Sequence, residues 1–258
     1  MKRTEQIESF YESKNEDSRL TSTQSRKIEY LTTMKYIVDI CEKNSTILDA
    51  CAGTGKYSFA LAELGYKVTA GDLTEHNVNV IRKKQAANNV LEKIYSGSIL
   101  DLRMFNDNCF DIVLNLGSYY SIQNHDDRIK SITESLRVLR PNGYYFMAYL
   151  NKHANFIRTI DQFKGNYDRF KFYLDNGYDS KNNLFFSTTP ENAEADLLKF
   201  NVELLHNIAT DGPRFAIQQT VDTFNDEELK QYLSLHLSFC EKRSLLGYSE
   251  HGLIIAKK

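Results

Sequence analysis

Asp49-Ala50-Cys51-Ala52-Gly53-Thr54-Gly55 closes a short apolar run and opens a helical stretch. Glycines at such a turn let the backbone approach a ligand closely, and the following helix N-terminus offers free N–H groups to an anion. Asp72 closes the next apolar run, 19 residues after Gly53. An acid there can take a ribose diol on both of its oxygens. A ligand containing a nucleoside is implied. A P-loop does not explain the turn, because Gly55-Lys56 is followed by Tyr57 and position 50 is Ala, not Gly. A dinucleotide fingerprint is only approximated by Gly53-x-Gly55-x-x-Ser58, and it leaves Asp49 without a role.

These residues need a scaffold that brings strand ends together. Thr46–Ala50, Tyr66–Asp72, Lys93–Ser98, Phe110–Asn115 and Tyr144–Leu150 are short runs expected to be strands. Between them lie helical stretches: Lys56–Leu64 with Phe59, Ala60 and Leu64 inward, 75–89, and Asp126–Leu139 stopped by Pro141-Asn142-Gly143. A helix precedes them from about Ser22, with Ile28, Leu31, Lys35 and Val38 on one face. This alternation means right-handed βαβ units and a parallel sheet with helices on both faces. After Leu150 the rhythm breaks into a polar, aromatic segment, 151–183. A helix at Pro190–Phe200, a strand at Val202–Ala209, a helix over 225–246 and a strand at Leu253–Ala256 follow.

The motifs resemble those of class I S-adenosylmethionine-dependent methyltransferases. ILDACAGTGKYS is similar to their first motif, an acid ahead of a GxGxG turn, and VTAGDL to their second. GSILDL, FDIVLNLGSYYSI and LRVLRPNGYYFMAYL resemble the segments of strands three, four and five. TTPEN, ATDG and LLGYSEH extend the likeness toward a bacterial subgroup acting on small molecules. The resemblance implies an α/β, Rossmann-like, seven-stranded, mostly parallel sheet with a helical, aromatic cap. It implies that the last strand is antiparallel and lies between strands five and six. The chain then reads as a single domain over 1–258. Its core is about 44–150 with 188–210 and 251–258, and its cap elements are about 1–43, 151–187 and 211–250. Segments 1–25, 151–183 and 225–246 are expected to roof the carboxyl ends of the strands.

The same resemblance assigns roles. Ala50, Cys51, Gly53 and Gly55 flank the methionine part of the cofactor, and Asp49 receives loop N–H groups or the cofactor's ammonium. Asp72 holds the ribose hydroxyls with Leu73 beside it, and Ser98 and Ile99 edge the adenine. Asn115, Leu116 and Gly117 line the donor methyl. Two positions depart from the family. Cys51 replaces the first glycine, so the turn must tolerate a side chain there, and Ser98 stands where Gly97 is usually followed by Asp. Methyl transfer is an in-line displacement at a sulfonium, so alignment and water exclusion are the main tasks. Tyr120 is the first catalytic candidate, because an aromatic face attracts the cationic sulfur. His125, near the pocket mouth, is the second. Tyr11 and Arg19 belong to an N-terminal segment placed to close the pocket, with Arg19 suited to a carboxylate.

The 258 residues carry a net charge of -2, against a general nucleic-acid face. Asn115-Leu116-Gly117-Ser118 is not the Asn-Pro-Pro-aromatic signature that grips a base amine. The four cysteines have no CxxC spacing and the six histidines no metal spacing, so no metal site is expected. No apolar run reaches the ~18 residues of a membrane span, and the N-terminus lacks the apolar stretch of a signal peptide. A cytoplasmic monomer or homodimer that converts S-adenosyl-L-methionine to S-adenosyl-L-homocysteine on a small-molecule acceptor is the leading expectation. The alternatives are an RNA or protein methyltransferase of the same fold, or a nicotinamide-binding oxidoreductase.

Overall fold

A computed structural model describes residues 16–181 and 184–258, the side chain of Glu16 excepted. Tyr11 lies outside the described residues. The strands are β1 (Thr46–Asp49), β2 (Lys67–Asp72), β3 (Lys93–Ser96), β4 (Phe110–Asn115), β5 (Leu139–Leu150), β6 (Glu203–Ala209) and β7 (His251–Lys257). They form one sheet in the order β3-β2-β1-β4-β5-β7-β6. Strands β1 to β5 pair in parallel, and β7 runs antiparallel to both of its neighbours. Seven strands with the last one inserted between β5 and β6 match the expected order.

The helices are α1 (Glu16–Arg19), α2 (Gln24–Ile40), α3 (Lys56–Glu63), α4 (Glu75–Ala87), α5 (Ser118–Ser121), α6 (His125–Val138), α7 (Lys152–Thr159), α8 (Tyr167–Asn176), α9 (Pro190–Leu197), α10 (Arg214–Val221), α11 (Asp226–Leu237) and α12 (Arg243–Leu246). Side-chain alternation along the strands divides the core between two faces. Ile47, Val68 and Ile255 pack with Ile37 of α2, Leu61 of α3 and Ile81 of α4. Leu48, Val113 and Ile254 pack with Ile132 and Leu136 of α6 and Leu197 of α9. Each such side chain contributes about 1.5–3 kcal/mol by leaving water. Because β2 and β4 flank β1, the chain's crossovers diverge there and leave a crevice beyond the carboxyl ends of the strands.

Several local expectations change. In α2 the buried residues are Ser25, Ile28, Thr32, Thr33 and Ile37, while Lys35 and Val38 are exposed. That helix serves two neighbours, the sheet core through Ile37 and a separate cluster with Val221 and Leu229 through Ile28. In α3, Tyr57, Ser58 and Leu61 are buried, and Leu64, just past the end of the helix, lies outside. Strand β5 starts at Leu139, ahead of Pro141-Asn142-Gly143. Its pairing jumps from Phe110↔Leu139 to Ile112↔Tyr144, so that tripeptide is a bulge, with Asn142 at φ 63. Segment 225–246 holds two helices, α11 and α12, and α10 precedes them. Segment 151–183 holds α7, a 3-10 turn at Ile160–Phe163 and α8, whose rings pack on each other, with Phe156 and Phe170 stacked at 4.2 Å. Among the described residues no helix is long and apolar enough to cross a membrane.

His236 on α11 is fully buried, and neither ring nitrogen has a hydrogen-bond partner among the described residues. Burial lowers its pKa below 6.5, outweighing the charge of Asp211. The folded protein keeps it neutral while the unfolded chain takes up a proton, so its contribution is complete above ~6.5 and is lost as pH falls. We expect His236→Gln to flatten the fall in Tm between about pH 7 and about pH 5, read from thermal melts against the wild type. Equal slopes would show that His236 does not titrate out of a buried neutral state.

Candidate active site

The crevice at the strand ends holds a cavity of about 470 Å³. Its floor is the turn between β1 and α3. Gly53 and Gly55 have φ 55 and 83, a region that side chains resist, so glycine is favoured at both. Cys51 avoids that region, which is how the turn accepts a side chain where the family has glycine. The turn is tied to β2 by Ala52 N donating to Gly71 O at 2.9 Å and Gly53 N donating to Asp72 Oδ2 at 2.9 Å. Asp72 Oδ1 accepts from Thr74 N, Thr74 Oγ1 and Asn77 Nδ2 at 2.9, 2.8 and 3.1 Å. This corrects the expectation that both oxygens are open to a diol. Oδ1 is saturated, and only Oδ2 keeps a lone pair toward the cavity. Burial still raises the Asp72 pKa against these donors.

Asp49 is 1 % exposed and lies in the cavity wall. Its Oδ2 accepts from Ser58 Oγ at 2.6 Å, while Oδ1 is buried with no partner among the described residues. Burial pushes the carboxyl up to about 7; the Ser58 hydroxyl opposes this and the Asp72 charge adds to it. A buried acceptor without a donor is costly unless a ligand completes it. Burial also pushes the Cys51 thiol up to about 12, so it stays protonated.

Of the expected residues, Arg19, Asp49, Ala50, Cys51, Gly53, Asp72, Leu73, Ser98, Ile99, Leu116, Gly117 and Tyr120 line the cavity. Gly55 sits behind the turn, where a Cβ would lie 3.0 Å from the Phe59 ring. Asn115 is a correction. It is fully buried, donates to Tyr145 Oη at 2.9 Å and accepts from Ser118 Oγ at 2.6 Å, so it holds α5 rather than facing the ligand. His125 is a second correction. It stands outside the wall, half exposed, with Asp196 Oδ1 at 3.3 Å and Lys199 Nζ at 3.2 Å. Tyr120 is in place, its hydroxyl donating to Leu116 O at 3.1 Å and its ring edge-on to Phe185. The roof expectation holds only in part. Among the described residues Arg19 and Leu20 reach the wall, but none of 151–181 or 225–246 does. The first segment packs its aromatics together, and α11 packs on α2 instead.

Lys56, Tyr57, Gln123, Asn124 and Asp127 also line the cavity and were not anticipated. A signal existed. The first two follow the glycine turn directly, and the last three lie at the entry to α6, so both groups sit near carboxyl ends of strands. The N-terminal residues are held over the turn. Asp17 accepts from Thr54 Oγ1 at 2.9 Å and pairs with Lys84, which donates to Thr54 O at 2.9 Å. Arg19 pairs with Glu29 at 3.4 Å. Among the described residues no group of three or more His, Cys, Asp or Glu is placed to hold a metal ion.

Residues 48–147 match the family described as methyltransferase domain. Cypemycin N-terminal methyltransferase of a Streptomyces species is 32% identical over 103 residues, 40% of each chain. Glycine/sarcosine N-methyltransferase of Halorhodospira halochloris is 27% identical over 179 residues, 65% of this chain and 59% of that one. The chain thus spans about two fifths to three fifths of the length of these relatives. A SAM-dependent methyltransferase structure from Methanosarcina mazei superposes with a TM-score of 0.59 at 18% identity, covering 86% of this chain and 96% of that one. That likeness establishes the Rossmann-like fold.

Asp49 gives a prediction that needs no ligand. Its carboxyl favours the folded state below the ordinary 3.8, and that contribution is lost as pH rises through about 7. Asp49→Asn should therefore stabilise the free protein by roughly 2–4 kcal/mol at about pH 8 and by much less at about pH 4. Denaturant titrations at the two pH values check it, and a gain independent of pH would contradict the buried-carboxyl assignment.

Proposed function

We propose that this chain, whose residues 48–147 are a methyltransferase domain, transfers a methyl group from S-adenosyl-L-methionine to a small-molecule acceptor and releases S-adenosyl-L-homocysteine. The observation that carries this is the orphaned Asp49 oxygen, buried in the same cavity as the Gly53 turn and Asp72. An amino acid sulfonium joined to adenosine needs a partner for its ammonium, an acceptor for its ribose and an apolar slot for its base. Asp49 Oδ1, Asp72 Oδ2 and the pair Leu73 and Ile99 supply these.

When bound, the cofactor supplies an electrophilic methyl group. The protein's residues bind and align. Arg19 and Lys56 in the wall neutralise a carboxylate. Tyr120, fixed through Leu116 O, offers an aromatic face toward positive charge and excludes water. His125 is no longer a candidate for proton transfer, and an amine acceptor needs little such help. By its name, the Halorhodospira relative transfers methyl groups to nitrogen, so small amines are the first acceptors to try. The four free cysteines are consistent with a reducing cytoplasm. In this reading the chain is a single domain in which the described residues 16–43, 151–181, 184–187 and 211–250 flank the core.

Calorimetric titration with S-adenosylmethionine, S-adenosylhomocysteine and NADH tests the proposal. We expect both sulfur ligands to bind and NADH not to. Asp72→Ala should weaken S-adenosylhomocysteine at least about tenfold, consistent with losing a charged hydrogen bond of ~1.5–3 kcal/mol and the tether of the turn. Binding of NADH alone would replace the methyltransferase reading by an oxidoreductase.

A further inference from the structure

Arg128 is a buried charge that the chemistry above does not use. It sits near the start of α6, is 5 % exposed and forms no ion pair among the described residues. Asp196 favours its charge, but that carboxylate is already bonded to Tyr119 Oη at 2.9 Å and Lys199 Nζ at 2.6 Å. A guanidinium stays protonated, so a full charge is buried here. Taking it out of water without a carboxylate partner costs stability.

What this charge holds is the link between α5 and α6. Its Nη1 donates to Ile122 O at 3.1 Å and to Gln123 O at 2.6 Å, and both residues line the cavity. The guanidinium carbon lies 3.6 Å from the centre of the Phe186 ring, and Nε is buried without a partner among the described residues. Phe186 is anchored by its own backbone, which donates to Tyr120 O at 2.7 Å. Carbonyls at a cavity edge can be satisfied by water at lower cost. Water would leave the link free to move. A cation stacked on a ring and bonded to two successive carbonyls does not. A costly burial that adds rigidity beside a cavity fits a wall that must be preformed for its ligand.

We propose that Arg128 is a positioning residue: through the Ile122 and Gln123 carbonyls it holds the cavity wall in the shape that binds the cofactor, at the expense of stability in the free protein. The inference rests on the cofactor reading above and assigns Arg128 no contact with the ligand.

Calorimetric titration with S-adenosylhomocysteine, thermal melts and hydrogen exchange on the full chain test it. Arg128→Met keeps much of the side chain's length and removes its charge. It should weaken the ligand at least ~10-fold while Tm stays level or rises, because the buried charge is gone and water in the cavity serves the two carbonyls. Amides 121–124 should exchange faster in the ligand-free variant, and those around Gly53 at the wild-type rate. Phe186→Leu removes the ring and leaves the backbone bond. It should weaken the ligand at least ~3-fold in the wild-type chain and no further in Arg128→Met, since the ring acts through the guanidinium. Unchanged affinity or unchanged exchange at 121–124 in Arg128→Met overturns the proposal, as do additive losses in the double variant. An Arg128→Met chain that does not fold, or that melts more than about 4 °C lower, makes Arg128 a residue of stability alone and overturns it too. If the wild type does not bind S-adenosylhomocysteine, the cofactor reading falls and this proposal with it.

Discussion

The hydrogen bond from Gly53 N to Asp72 Oδ2 is the constraint on which the cavity depends. It joins the turn after β1 to the end of β2, and Thr74 and Asn77 fix the same carboxylate from the other side. One acid therefore sets the position of the turn, the start of α4 and the edge of the cavity. Such a group is expensive to bury and is stable only because four donors surround it. Asp49 lies on the other side of the turn and is under-supplied, with one hydroxyl donor for two oxygens. The loop's Gly53 N–H goes to Asp72, while Asp49 has the Ser58 hydroxyl and the Cys51 N–H, which together do not offset its burial. Charge repulsion between them then raises the Asp49 pKa further. The contrast makes the Asp49 edge of the floor the place where a cation gains most.

A second set of charges ties the late strands to the same cavity. His251 opens β7 beside Leu150, with Asp211 Oδ2 at 3.0 Å and Glu29 of α2 at 3.6 Å. Burial alone would lower its pKa, but the charges of Glu29 and Asp211 outweigh it and the pKa is raised. Arg214 joins Asp211 to Glu250, and Arg158 of α7 joins Glu250 in turn. Glu29 also holds Arg19, so the antiparallel β7 is linked through two side chains to a residue of the cavity wall. Pairing offsets part of the cost of burying these charges, and removal of one partner would leave the rest uncompensated.

The first five strands were legible because each is a short apolar run bounded by turn residues, and their parallel order follows from the helices between them. Asp49, Gly53 and Asp72 were legible because their types and spacing carry a mechanism. Which way they bond was not. That Asp72 turns its oxygens inward depends on Thr74 and Asn77, whose contribution is invisible without coordinates. Asn115 and His125 were misplaced for a related reason. Both stand at the correct end of β4, but α5 and α6 rotate their side chains, one into the core and the other toward Asp196. The helices α7, α8 and α10 are only 8, 10 and 8 residues long, too short for an apolar repeat to single them out.

The insertion after β5 shows how a segment can affect the cavity without lining it. Phe186 N donates to Tyr120 O at 2.7 Å, and the Phe186 ring carries the Arg128 guanidinium at 3.6 Å. Arg128 in turn donates to Ile122 O and Gln123 O, at 3.1 and 2.6 Å. Both of those residues belong to the wall. A guanidinium stacked on a ring and bonded to two carbonyls is held in one orientation, so the 121–124 turn is held with it. The aromatic content of the segment 151–183 is thus spent mainly on its own packing. The few residues that follow it, at 185–186, set the shape of the acceptor side through Tyr120. Shape on that side is fixed by packing from behind, whereas charge on the opposite side is fixed by Asp49 and Arg19 in the wall itself.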